Sequence, residues 1–116
     1  MQNTLSHFEI LCSDMVKAKR FYQNVFNWKF DEDSFPGYSV IRTGAEPTGG
    51  LMLKPPETPN HSLNVYFQVN SIDATLKTVQ TAGGTILVSK TEIPGIGYWG
   101  MFTDPDGIII GILEAK

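Results

Sequence analysis

Cysteine is nearly absent from this chain. Cys12 stands alone, so no disulfide can close within the chain and no cysteine-based zinc site exists. A single thiol fits a reducing compartment. Basic clusters are also missing. The nine Lys and Arg residues are scattered, only Lys17, Lys19 and Arg20 stand close together, and the net charge is −3. That excludes nucleic-acid binding as the main role. Long apolar runs are lacking too: Ile108–Leu113 is six residues and contains Gly111, far too short to cross a bilayer. Met1–Ser6 has no basic residue and no extended apolar stretch, so no signal peptide is expected and the expected location is cytoplasmic, with no membrane partner. What is present is 41% hydrophobic and 18% charged residues over 116 positions, which excludes a disordered chain. A single domain of this length buries roughly 65% of the surface its unfolded chain exposes.

Periodicity divides the chain into elements. Ser6–Cys12 alternates as a strand, with Phe8, Ile10 and Cys12 on one face and His7, Glu9 and Leu11 on the other. Asp14 stands at a helix N-cap, and Val16, Phe21, Tyr22, Val25 and Phe26 recur at helical spacing through about Asn27. Trp28, at the helix end, reads as core. Strands are expected over Trp28–Asp33, Tyr38–Thr43 and Gly50–Lys54. Pro55, Pro56 and Pro59 then stop regular structure, so residues 55–61 read as a linker, and no role falls on His61. The order repeats: strand Leu63–Val69, Ser71 capping a helix that ends at Gly83-Gly84, then strands Thr85–Glu92, Tyr98–Thr103 and Ile108–Glu114. The turn Asp104-Pro105-Asp106-Gly107 lacks the further acidic positions of a calcium loop. A shift of 57 places Asp14 on Ser71 and Gly50 on Gly107. The expected fold is α+β: one domain over 1–116, with tandem βαβββ modules at about 4–54 and 62–116. A curved mixed sheet would surround a cleft, with the helices outside.

Strand parity assigns the faces. Cys12, Leu51, Leu53, Ile108, Ile110 and Ile112 are expected to pack under the helices. The opposite face is expected to carry His7, Glu9, Gly50, Met52, Lys54, Asn64, Tyr66, Gln68 and Gly111. A few polar groups among apolar walls suit a small-molecule pocket. Tyr66, Tyr98 and Trp99 are candidates to stack on a flat ligand, and parity leaves open which of Tyr98 and Trp99 faces it.

His7-Phe8-Glu9-Ile10 followed by Asp14, then Phe21-Tyr22 and Val25-Phe26-Asn27-Trp28, recur in a known order with Val69–Ile72, Gly83-Gly84 and Thr103-Asp104-Pro105-Asp106-Gly107. On these pieces, which cover nearly the whole chain, it resembles the vicinal oxygen chelate superfamily of glyoxalase I, bleomycin-resistance proteins and extradiol dioxygenases. The resemblance implies two βαβββ modules, a homodimer, and a site in the cleft between modules, within one chain or across a dimer. Metal-using members take four His or Glu ligands, one from the first and one from the last strand of each module. The matching positions here are His7, Asn64, Gly111 and, by the internal shift, Lys54. An amide is a poor ligand beside imidazole or carboxylate, glycine offers no side chain, and an ammonium repels a cation. Only His7 matches, so no metal and no cofactor are expected.

Two functions follow. The first is a glyoxalase/bleomycin-resistance-like protein that binds a small organic molecule without the usual metal, through His7, Glu9, Met52, Lys54, Asn64, Tyr66, Gln68, Trp99 and Gly111. The second is a lactoylglutathione lyase-like lyase or isomerase, or a dioxygenase, with His7 and Glu9 as acid–base groups or as holders of one Fe, Ni, Zn or Mn ion. Period two sets those two side chains roughly 6.5–7 Å apart along the strand. A neutral imidazole beside a carboxylate suits proton transfer near neutral pH.

Overall fold

The computed structural model describes residues 2–56 and 62–116. The linker expected over 55–61 therefore lies mostly outside the described residues, as does His61. The chain forms two compact units, His7–Asn64 and Met1–Ser6 with Val65–Lys116. Each is built on the strand–helix–strand–strand–strand plan, and the fold class is α+β.

In the unit His7–Asn64 the strands are β1 (Thr4–Cys12, shared at its start with the other unit), β2 (Lys29–Phe30), β3 (Tyr38–Arg42) and β4 (Gly49–Leu53). Their order is β2-β3-β4-β1, with β1 parallel to β4 and the remaining pairs antiparallel. Helix α1 (Met15–Phe26) starts where the Asp14 carboxylate accepts the Lys17 N–H at 3.0 Å, and ends at Asn27 in the left-handed region. Ile41 and Leu51 are fully buried.

The second unit orders its strands β5 (Leu63–Gln68), β8 (Ile109–Ala115), β7 (Gly97–Thr103) and β6 (Thr85–Ile93), with β5 parallel to β8. Its helix α2 (Ile72–Thr81) is capped by Ser71, whose hydroxyl accepts the Ala74 N–H at 3.1 Å. The core of this unit joins Val69, Ile72, Leu76 and Ile112, with Ile86, Tyr98 and Phe102 packed against them. At the last hairpin the Asp104 carboxylate accepts from both Asp106 and Ile108 N–H, and Gly107 supplies the positive φ.

Several expectations need correction. The strand expected over Trp28–Asp33 is only two residues long. Beyond Phe30 the chain leaves the ladder to place the Asp31 carboxylate against Arg42 and the Asp31 carbonyl on the Ser39 hydroxyl. No residue of α1 is buried: Phe21, Val25 and Phe26 are each more than half exposed. Trp28 is half-buried rather than core, stacked on Tyr22 and Phe26 and tilted against Phe8. Leu53 lies at the open end of β4 and Ile108 in the turn before β8, so both are exposed.

Candidate functional site

The first unit brings three polar side chains, His7, Tyr38 and Asn64, together around Glu9. This carboxylate is buried on β1, only 8% exposed. Its Oε2 accepts the Tyr38 hydroxyl at 2.9 Å and its Oε1 accepts the Asn64 amide N–H at 2.9 Å. Two charge-assisted hydrogen bonds of this kind let a carboxylate remain charged out of water. The Tyr38 oxygen also lies 2.7 Å from His7 Nε2, and His7 Nε2 and Glu9 Oε2 are 4.0 Å apart. The phenol thus stands between the two groups that the sequence pairs as acid and base. Burial pulls the His7 pKa below its ordinary value. The Glu9 charge and a hydrogen bond to the Thr48 backbone oppose that shift.

Register explains how Tyr38 arrives there. Glu9 pairs with Gly50 across β1 and β4, and Tyr38 pairs with Met52 across β3 and β4, on the same face by strand parity. A Cβ at Gly50 would overlap the Tyr38 phenol oxygen. Glycine at position 50 is what lets the ring lie across the strand. The second unit repeats the device. Tyr66 pairs with Gly111, and a Cβ at Gly111 would overlap the buried Tyr66 ring.

This repetition corrects one assignment. The counterpart of Gly111 is Gly50, not Lys54: each glycine stands opposite the residue two beyond the first position of its module, Glu9 or Tyr66. The shift of 57 holds across β1 and α1 but fails beyond them. The second unit spends more residues on β6, which has nine, than the first spends on β2, which has two. Lys54 follows β4 and lines an open groove of about 640 Å³ with Ile10, Cys12, Lys17 and Phe21.

The other expected site residues divide by face. Met52 shares the Tyr38 face. In the second unit Tyr98 packs on the α2 core under the Lys90 ammonium, 4.3 Å from its ring centre. Trp99, next along β7, is therefore on the opposite face with Gly111, Tyr66 and Gln68. Glu114, of the other parity, turns to α2, where it accepts the Ile72 N–H at 2.7 Å and pairs with Lys90. Cys12 packs beside Met15, and burial pushes its thiol pKa up, away from nucleophile chemistry. Sequence reasoning set Gly50 on this face without a role for it and missed Tyr38. The signal available was parity, which puts Tyr38 and Val40 on one face of β3; cross-strand register supplied the rest.

The residues do not fit a metal. Among the described residues no three His, Cys, Asp or Glu side chains converge on one point. The Glu9 oxygens are taken by Tyr38 and Asn64, and the His7 nitrogen nearest to them is taken by Tyr38.

Two βαβββ units, each with a glycine on its last strand covered by a tyrosine, define a two-module α+β protein with a polar cluster in one module and no metal-ligand set among the described residues. The chain belongs to the Glyoxalase/Bleomycin resistance protein/Dioxygenase superfamily, whose family pattern matches residues 4–112. It is 28% identical to "Putative glyoxylase CFP32" of Mycobacterium tuberculosis over 99% of this chain and 47% of that protein. It is 25% identical to the anthracycline biosynthesis protein DauV of a Streptomyces species over 90% of this chain and 44% of that one. The chain thus spans about half the length of these two relatives. In fold it resembles a Mn(II)-bound glyoxalase from Novosphingobium aromaticivorans, with a TM-score of 0.70 and 19% identity over 97% of this chain and 39% of that one. No helix among the described residues is long and apolar enough to cross a membrane.

Proposed function

We propose that this glyoxalase-like protein binds a small organic molecule on the face carrying His7, Glu9 and Tyr38, without a metal, as a homodimer in the cytoplasm. The observation that carries the reading is the pair of glycines, Gly50 and Gly111, each covered by a tyrosine where a side-chain ligand would otherwise stand. Such a face recognises a ligand by hydrogen bonding and aromatic contact. Phe35, exposed and stacked on Tyr38 with ring centres 5.2 Å apart, extends that surface. Hydroxylated planar aromatics are the first ligand class to try, in keeping with the anthracycline-biosynthesis relative. Thiol-conjugated compounds are the second, in keeping with the glyoxylase-named one. Thermal-shift and fluorescence titrations against both sets test the proposal. Saturable binding that weakens in Tyr38→Phe supports it, and no saturable binding in either set counts against it.

The His7–Tyr38–Glu9 chain favours a second reading, a lyase or isomerase working by proton transfer. The His7 ring is neutral near pH 7, because burial disfavours its charge. With its hydroxyl donating to the Glu9 carboxylate, Tyr38 can pass that proton to Glu9 as it takes one from a bound ligand, while His7 Nε2–H donates to the phenol oxygen. If this reading holds, His7→Ala abolishes turnover of the ligand found above; retained turnover would exclude it.

A further inference from the structure

We infer that Tyr38 is the residue that keeps a divalent metal off His7 and Glu9, so that metal independence in this chain is held by one phenol and the glycine beneath it. The inference rests on the metal-free reading and adds the residue responsible. His7 Nε2 and Glu9 Oε2 are metal-ligand atoms 4.0 Å apart. A cation shared between them would have to lie within bonding reach of both, and the Tyr38 oxygen fills that space at 2.7 Å from one and 2.9 Å from the other. The phenol further spends its hydrogen bond on the Glu9 oxygen that such a cation would need, while Asn64 holds the other.

The third element is position 50. It lies across β4 from Glu9, on the same face, and its backbone is outside the left-handed region, so a side chain there is conformationally allowed. A carboxylate at 50 would approach the His7–Glu9 pair as a third donor, but any Cβ at that position would overlap the Tyr38 oxygen. Tyr38 and Gly50 are therefore one device. The large residue occupies the cation's space, and the missing side chain both admits it and withholds a ligand.

The test uses the full-length chain without an affinity tag. Isothermal titration with NiCl₂ and electron paramagnetic resonance with MnCl₂ follow metal binding. Circular dichroism confirms that each variant is folded. Wild type is expected to take up no metal at millimolar concentration. Tyr38→Ala/Gly50→Glu is expected to bind Ni(II) about tenfold or more tighter than Tyr38→Ala, and that binding is expected to vanish when His7→Ala is added. Should the double variant fail to fold, Tyr38→Phe carries the test: it keeps the ring, removes the oxygen, and is expected to bind Ni(II) where wild type does not. Stoichiometric metal in wild type that is lost in His7→Ala would overturn both this inference and the metal-free reading. A wild type without metal, beside folded variants equally without metal, would overturn the role of Tyr38 alone.

Discussion

At the scale of single residues, Glu9 decides most. A carboxylate this deeply buried is tolerated because Tyr38 and Asn64 both donate to it. Replacing Asn64 by Leu keeps the branched outline of the side chain and removes the donor to Glu9. The expected loss is about 1.5–3 kcal/mol, the usual worth of a hydrogen bond to a charged group, read from urea unfolding at pH 7. Asp31→Asn, which loosens the bidentate but solvent-exposed pair with Arg42, should cost far less. Equal losses would mean that Glu9 draws little from Asn64. Much of this cluster is legible in the sequence: period two sets His7 and Glu9 on one face of the first strand and Asn64 on the corresponding face of the fifth. Tyr38 was not legible. Its contact with Glu9 depends on the β3–β4 register and on the absent side chain at Gly50, and neither is a property of a local window.

At the scale of elements, local chemistry reads well and packing reads poorly. Asp14 and Ser71 cap their helices as the sequence indicates, and alternation locates seven of the strands, because each depends on a few neighbouring residues. The exception is β2, which ends at Phe30: Asp31 keeps one backbone hydrogen bond to Val40, and the Asp31 and Asp33 carboxylates pair with Arg42 and Lys19. Register again sets the Gly111 contact. Gly111→Ala would push against the buried Tyr66 ring, and an overpacking loss of about 1–3 kcal/mol is expected, relieved in the Tyr66→Ala background of a double-mutant cycle. Additive losses would show that the ring has room to move. Helix α2 gives a pH-dependent case. The Ile72 N–H, followed by Lys90, holds the Glu114 carboxyl below its ordinary 4.5. A depressed carboxyl stabilises the fold in full above its unfolded value, and that stability is lost as pH falls through the folded one. Glu114→Gln should therefore be less stable than wild type at pH 7, by about 1 kcal/mol for a charge at a helix N-terminus. The two unfolding curves should draw together as the pH is lowered below 4.5. A gap that stays constant down to low pH would remove the charge from the explanation.

At the scale of the whole molecule, helix α1 sets the remaining question. It has twelve residues, none of them buried, and Val16, Phe21, Val25 and Phe26 are each more than half exposed. A helix of that length is marginal in water on propensity and caps alone, so an apolar face is normally what holds it. Here the side carrying Met15, Ala18 and Tyr22 is only half-buried, and Phe21 and Val25, one turn apart beside it, are open in the single chain; neighbouring exposed apolar side chains of this kind suit contact with another protein surface. A second copy of this chain is the partner the proposed homodimer supplies. The expected result in sedimentation equilibrium is a dimer for wild type. Phe21→Ser/Val25→Ser should shift it toward monomer and lower its melting temperature, because the helix loses the contact that completes it. Since those side chains are already exposed within one chain, the same substitutions in a protein that is monomeric throughout should leave its melting temperature nearly unchanged. A monomeric wild type whose stability ignores both substitutions would refute the dimer and leave α1 held by its caps and by its half-buried side chains, Met15, Ala18 and Tyr22.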